Sequence, residues 1–473
     1  MGVSRFVMDE VDITEDECTE DIEKQNANEE RMVAFYSSNF RCLALCTSIG
    51  LVALVLGLGL GLGLEGSSPD ENIFTPEHQA TTLEYISSLA IQISSPETLN
   101  VFDNNMIPSN PQTEALKWMS STDVFTLNEM KQSSTNEVVL LQRYALATFY
   151  FSTSGDSWHH KVNFLSPEHI CEWGTYHDVM TKPNDMYKGV FCDNDQLATS
   201  LFLDMNSLTG QIPDELYHIS SLKKISLGKN RLEGQISSKL ALLKNLTSFI
   251  VNQNLLIGEL DDNIATLQSL QVFNVHNNRL EGNVEDSFKN LSELIILDLG
   301  DNDLSGNFPD ISASLQLKSI NLEINGHYND NMGFTGEIPA FIGNFVLLET
   351  LDLSSNSFTG NVPSEIGQIF GLKRLDLHSN DFFGNFKDEL LNLKELDKLL
   401  LNGNNFDGDF GEACEKLDDI DMTADCLLED NSYIKNSCYC CAYCCNKDAC
   451  CPQGEAIGSN KCISVDAIGL FGL

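Results

Sequence analysis

The sequence predicts an α/β solenoid, a right-handed superhelix of stacked turns with a parallel, concave β-sheet along one side. A helical cap stands in front of it, a cysteine-rich cap behind it, and one transmembrane helix precedes both. Three observations lead there. An asparagine recurs at Asn206, Asn230, Asn254, Asn278, Asn302, Asn325, Asn356, Asn380 and Asn404, at steps of 23 or 24 residues except for the 31 between Asn325 and Asn356. Leucines frame the approach to each one, as in Leu348-x-x-Leu351-x-Leu353-x-x-Asn356, and a glycine usually stands four residues after it, as at Gly210, Gly234 and Gly360. Ahead of all nine copies, Leu43 to Leu64 carries no charge.

The repeat dictates the shape. A period of 20 to 29 residues with this frame is the signature of leucine-rich repeats. Apolar and polar residues alternate through the L-x-L pair, so each copy holds a short strand with one face buried. One copy cannot hide that face, but stacked neighbours bury each other, at roughly 1.5–3 kcal/mol per fully buried Leu or Ile. The asparagine closes the turn, and its amide can both donate to and accept from backbone groups of adjoining copies. Stacked strands give a curved slab, which binds along a surface.

Upstream, residues 1–42 form an acidic block with few apolar residues, read as a disordered cytosolic tail. A docking peptide for a cytosolic partner is the other reading. Leu43 to Leu64 would span about 33 Å as a helix, enough for a hydrocarbon core of roughly 30 Å. Arg31 and Arg41 precede it, and no Lys or Arg follows until Lys117, so the N-terminus is expected in the cytosol and the repeats outside or in a lumen, most simply at the plasma membrane. Gly57, Gly59, Gly61 and Gly63 allow a close homodimer of two such helices, against a glycine-rich span with no partner. The net charge of −41 argues against nucleic acid or an anionic membrane surface as partner.

Residues 65–137 are polar and dotted with prolines, with weak helical patterns around Leu83 to Ile93 and Thr113 to Met119, and read as a juxtamembrane spacer. Residues 138–197 open on an apolar helix through Tyr144 and Tyr150 and then carry Cys171-Glu172-Trp173 and Gly189-Val190-Phe191-Cys192-Asp193. A solenoid exposes the apolar cross-section of its first copy, and a helix stapled by a Cys171–Cys192 disulfide would cover it.

This order of helix, C-x-W and G-V-x-C-D before the first repeat resembles the N-terminal cap of plant-type leucine-rich-repeat ectodomains. Gly210-Gln211-Ile212-Pro213, Gly336-Glu337-Ile338-Pro339 and Gly360-Asn361-Val362-Pro363 match the repeat variant of that class, which includes receptor-like kinases, kinase-less receptor-like proteins and polygalacturonase inhibitors. The run Tyr144 to Tyr150 followed by Gly155-Asp156-Ser157-Trp158, behind an N-terminal anchor, is more similar still to membrane-anchored repeat proteins of algae. The resemblance implies surface recognition and names no ligand. The chain departs from it in its N-terminal anchor, in copies such as Gly234-Gln235-Ile236-Ser237 that lack I-P, and in carrying no kinase motifs.

Within residues 198–413 the position between the two frame leucines points out of the concave face. It reads Phe202, Ser226, Ile250, Asn274, Asp298, Asn321, Asp352, Asp376 and Leu400, with Met205, Lys229, His276, Arg374 and His378 in neighbouring columns. Phe202, Asn274, His276, Asp298, Asn321, Asp352, Arg374, Asp376 and His378 are the candidate ligand contacts, suited to a peptide, a glycan or a basic protein patch. Polar residues facing water are the plainer reading, and Phe202 lies where cap packing serves equally well. The long interval holds an insertion near Gly326 to Met332, either tolerated drift or a small side loop over a ligand. Asn245-Leu246-Thr247 and Asn290-Leu291-Ser292 are glycosylation acceptors on the outer arc.

In residues 414–473, Cys414 and Cys426 read as a stapled end cap, and the dense cysteines from Cys438 to Cys462 as further disulfides, with a zinc knuckle as rival. No metal or cofactor is expected. His159, His160, His169 and His177 lack an H-E-x-x-H partner set, and no nucleophile elbow or phosphate loop is found. The expectation is a single-pass membrane protein that is not an enzyme and binds a protein, peptide or glycan ligand on its concave face, so that any signalling would need a co-receptor. The alternatives are a surface adhesion protein crosslinking its neighbours and an inhibitor of a wall hydrolase.

Overall fold

Three residues of each copy form a strand, and each strand pairs in parallel with the next. In the computed structural model of the chain Ile225 lies opposite Phe249, Phe249 opposite Phe273, and Leu351 opposite Leu375. Equal spacing puts the same frame position in register from copy to copy. The structure describes residues 75–95, 99, 110–131, 136–176, 187–326, 333–384, 388–406, 420–425, 443–445, 449–452 and 463–464. Over these the concave sheet reaches 15 strands. It opens on antiparallel cap strands, Gly174–Tyr176 and Tyr187–Cys192, the second pairing with Ala198–Phe202. It continues past Lys398–Leu400 into Asp421–Asp425 and then Tyr443–Cys445.

Frame leucines such as Leu348, Leu351 and Leu353 are buried in one continuous core with the cap aromatics Phe149, Trp158 and Trp173. Phe334, Phe358, Phe382 and Phe406 stack ring on ring in successive copies, 6.0 to 6.4 Å apart and within 9° of parallel. The ladder asparagines tie the copies together. Asn254 Nδ2 donates to the carbonyls of Leu227 (3.0 Å) and Val251 (3.0 Å), and its Oδ1 accepts from Leu232 N (2.9 Å). Asn206, at the front, instead bonds the backbone of His160 through both amide atoms and so seals the first copy to the cap.

Two further parallel sheets, of five and four strands, flank the concave one. They explain the glycine that stands four residues after all the ladder asparagines but Asn325. At Gly258 φ is +82°, and an added Cβ would lie 2.7 Å from the Gln235 side chain of the preceding copy. Only a residue without Cβ leaves room for that side chain to lie across the turn.

The residue before each asparagine takes a left-handed φ, from Lys229 (55°) to Ser379 (54°). At Ile324 (48°) this residue is β-branched, the least tolerant type in that region. Ile324→Asn is therefore expected to raise stability by about 1 kcal/mol, read as a higher urea midpoint of the full chain; an unchanged or lower midpoint contradicts the strain.

Residues expected to act as a spacer are built into the cap. The helices Pro76–Ala90, Pro111–Ser121 and Val124–Glu129 precede the cap helix Glu137–Ser152. Ile86, Leu89, Leu116 and Met119 are buried with Leu140, Tyr144 and Ala147 of that helix. Ser94 Oγ donates to the buried Glu215 of the first copy at 2.6 Å, and Gln112 Nε2 at 3.2 Å. The prolines start helices here: Thr75 and Asn110 each cap a helix whose first residue is proline. Cys171 and Cys192 form the expected disulfide, Cα to Cα 5.4 Å.

Among the described residues no helix is long and apolar enough to cross a membrane. The acidic tail, Leu43 to Leu64 with its glycines, the insertion 327–332, and Cys414 and Cys426 lie outside the described residues.

Candidate functional site

Short strands crowd their own side chains. Of the positions between the frame leucines, Asn274, Asp298, Asp352 and Asp376 are buried by lateral neighbours, and Asn321 is half-buried. They form the floor of the concave face. Half-buried Phe202 sets its ring 5.7 Å from Phe191 of the cap strand, which accounts for it as packing.

The structure joins most of the other candidates into one row of charges. Arg374 Nη2 reaches Asp352 Oδ2 (3.1 Å) and Asp376 Oδ2 (2.9 Å), and His378 Nδ1 lies 2.6 Å from Asp376 Oδ1. Earlier in the sheet, His276 Nδ1 lies 3.3 Å from Asp298 Oδ1, off the line of a hydrogen bond, and 3.9 Å from Glu323 Oε1. Asn321 Nδ2 donates to the same Glu323 oxygen at 3.3 Å. Half-buried His276, Asn321, Glu323 and Arg374 are the members a ligand can reach.

Glu323 escaped the sequence reading. It stands two residues before Asn325, in the column that holds His276, Gly300, Ser354 and His378 before their own asparagines. Reading that column whole would have found it.

These groups reset each other's protonation. Burial and the neighbouring Asp352 push the Glu323 carboxyl up to about 8, although His276 and the Asn321 amide pull it down. Burial opposes a charge on His276, but Asp298, then Glu323 and Asp301, outweigh it and raise the imidazole to about 9. At Asp376 burial is likewise outweighed, by His378 and Arg374, which hold the carboxyl below its usual range. His378 is raised against burial by Asp376 and Asp352. Burial and Asp376 raise Asp352.

A stability profile follows. Folded Glu323 and His276 keep protons that the unfolded chain releases near pH 4.3 and 6.5, so stability falls as pH rises through about 8 and about 9. Urea midpoints are expected to drop from pH 6 to pH 9, and Glu323→Gln to flatten the lower part of that slope. A profile that rises or stays level over this range contradicts the assignment.

Asn245 and Asn290 are exposed, and Asn245 Nδ2 donates to the Ser220 carbonyl at 3.3 Å. At the cap, His169 Nδ1 accepts from Cys171 N at 3.2 Å beside the disulfide. The oxidised sulfurs present no thiolate to a metal there.

Comparison with known proteins agrees with the repeat fold. The Leucine Rich Repeat family profile matches residues 269–291 and 347–369. No curated protein sequence matches the chain. Among solved structures, the ectodomain of the Arabidopsis receptor kinase HAESA, in complex with an IDA peptide hormone, is 24% identical with a TM-score of 0.51, covering 61% of this chain and 45% of that one. The ectodomain of the Arabidopsis thaliana receptor kinase GASSHO1/SCHENGEN3 is 32% identical with a TM-score of 0.45, over 50% of this chain and 27% of that one. A plant ice-binding protein is 22% identical with a TM-score of 0.39, over 58% of this chain and 87% of that one. The chain thus spans less than half the length of either receptor structure. Its described residues carry the leucine-rich-repeat fold of plant receptor ectodomains.

Proposed function

We propose that the chain is a single-pass membrane protein that recognises a protein, peptide or carbohydrate ligand on the concave face of its repeats. The observation that supports this is the half-buried row of His276, Asn321, Glu323 and Arg374 over a floor of buried carboxylates. Such a row offers donors, acceptors and both signs of charge along one stretch of surface, which suits an extended polar ligand. Leu43 to Leu64 serves as the anchor, with the preceding tail in the cytosol and the repeats in the secretory lumen or outside the cell. Glycans on Asn245 and Asn290 would then occupy the outer arc and leave the concave face bare. A co-receptor carries any signal onward. Solved relatives bind peptide hormones, as the HAESA complex does, but a peptide ligand for this chain rests on its own surface.

Proximity labelling from a tag on the repeat side of the full chain tests the reading. Asn321→Arg and Thr350→Arg place bulk on the half-buried concave row without touching the leucine frame. Folded variants are expected to lose neighbours that the unaltered chain labels. An unchanged set of neighbours overturns the concave face as the ligand surface. Unchanged gel mobility after glycosidase treatment, with the repeats resistant to protease added outside sealed vesicles, overturns the orientation only for a chain on the cell surface; in sealed microsomes the same mobility result does so, with the repeats digested.

A further inference from the structure

Seven ionisable side chains of the concave face form two contact groups on neighbouring copies, and Asp352 of one acts electrostatically on Glu323 of the other. His276 sits between Asp298 (3.3 Å) and Glu323 (3.9 Å), and Arg374 between Asp352 (3.1 Å) and Asp376 (2.9 Å), which holds His378 at 2.6 Å. Glu323 and Asp352 lie in adjacent copies whose strands pair directly, Asn321 opposite Asp352. The link between His276 and Glu323 skips one copy, and it passes over Gly300. A Cβ there would lie 2.8 Å from His276 Nδ1, 3.0 Å from Asn321 Oδ1 and 3.0 Å from Glu323 Cγ. The bare position is what lets the two side chains approach.

We infer that these residues act as one proton-linked unit, closed across Gly300, whose charge state sets what the concave face accepts. The inference rests on the proposed ligand surface for its consequence, but the unit itself is a property of the unliganded chain. The groups facing Glu323 are His276, His378, Asp298, Asp352 and the Asn321 amide, and those facing His276 are Asp298, Asp301 and Glu323. Around neutrality Glu323 carries its proton and His276 is cationic. On mild alkalinisation Glu323 ionises first and His276 then loses its charge, as their values of about 8 and about 9 order them. Each step makes the middle of the surface more negative. A ligand that offers a lysine ammonium or arginine guanidinium there therefore binds more tightly as the pH rises and is released as it falls.

The test is an NMR titration of the full chain labelled at its histidines, with His276 and His378 assigned by substitution to Gln. In Glu323→Gln both imidazole midpoints are expected to fall towards the ordinary histidine range, because Glu323 faces both. Gly300→Ala is expected to lower the His276 midpoint with Glu323 still present, by prising the pair apart. Because Gly300→Ala could disturb the fold, Glu323→Gln, near in size to the native residue, is the deciding variant. If either midpoint stays where it is in folded Glu323→Gln, the groups titrate separately and the single unit is wrong. That result leaves the concave face standing as a ligand surface, whereas unchanged neighbours in the labelling experiment remove the surface and leave the titration intact.

Discussion

Asp123→Ala is expected to cost about 3–5 kcal/mol, because it strands a buried charge. Asp123 and Arg143 have no exposed side-chain surface, and Arg143 Nε and Nη2 reach the two carboxylate oxygens at 2.5 and 2.6 Å. Two more guanidinium hydrogens go to the carbonyls of Glu168 and Ser166, each at 2.7 Å. Phe125 and Trp173 lie 4.7 Å from the guanidinium carbon and Trp118 lies 5.0 Å away. With Asp123 gone, the cation keeps its carbonyls and ring faces but has no counter-charge and no water. Asp123→Leu combined with Arg143→Met removes both charges and is expected to recover most of the loss. The readout is built in, since Trp118, Trp158 and Trp173 are the chain's 3 tryptophans and all belong to the cap. A single substitution costing under about 1 kcal/mol by tryptophan fluorescence would show the pair to be solvated.

That cluster also shows what the sequence could not say. Leu351, Leu353 and Asn356 announce a turn of the solenoid because their neighbours in space are fixed by a period, so one copy predicts the next. Asp123, Phe125 and Arg143 belong to no period. Their partnership depends on how the helices fold back over the first copy, and Glu215 meeting Ser94 and Gln112 depends on the same packing. The prolines of residues 65–137 misled for a related reason: Pro76 and Pro111 look like breakers until the capping Thr75 and Asn110 before them are counted. On the concave face the column was legible and its depth was not. Alternation put Asp298, Asp352 and Asp376 on the right side of the sheet, but their burial comes from side chains in the adjoining copies. The glycine at position 300 broke no pattern that spacing could reveal, yet it permits His276 and Glu323 to meet.

Asn302→Leu is expected to cost on the order of 2–4 kcal/mol, by orphaning the buried Leu280 N–H at about 1–3 kcal/mol and removing three further hydrogen bonds whose acceptors keep a second donor. Asn302 is fully buried, and its Nδ2 donates to the carbonyls of Val275 (3.0 Å), Leu299 (3.2 Å) and Gly300 (2.9 Å). Its Oδ1 accepts from Leu280 N at 3.0 Å. Val275 and Leu280 belong to the preceding copy, so half of the amide's bonds join one copy to the next. Leucine fills much the same volume but leaves Leu280 N without its acceptor, while the carbonyls of Val275, Leu299 and Gly300 keep Asn278 Nδ2, Asn325 Nδ2 and Asn277 N. The exposed Asn263 is the control, and Asn263→Ala is expected to stay within about 0.5 kcal/mol. Stability in a solenoid is a sum of copies and the couplings between neighbours, so weakening one coupling in the middle lets the two sides part company. Tryptophan fluorescence, which reports the cap, is then expected to change at higher urea than the far-ultraviolet signal of the whole array, with the copies beyond Asn302 melting first. Coincident transitions with a midpoint equal to that of the unaltered chain would mean that the asparagines merely occupy the turns and the apolar frame alone holds the copies together.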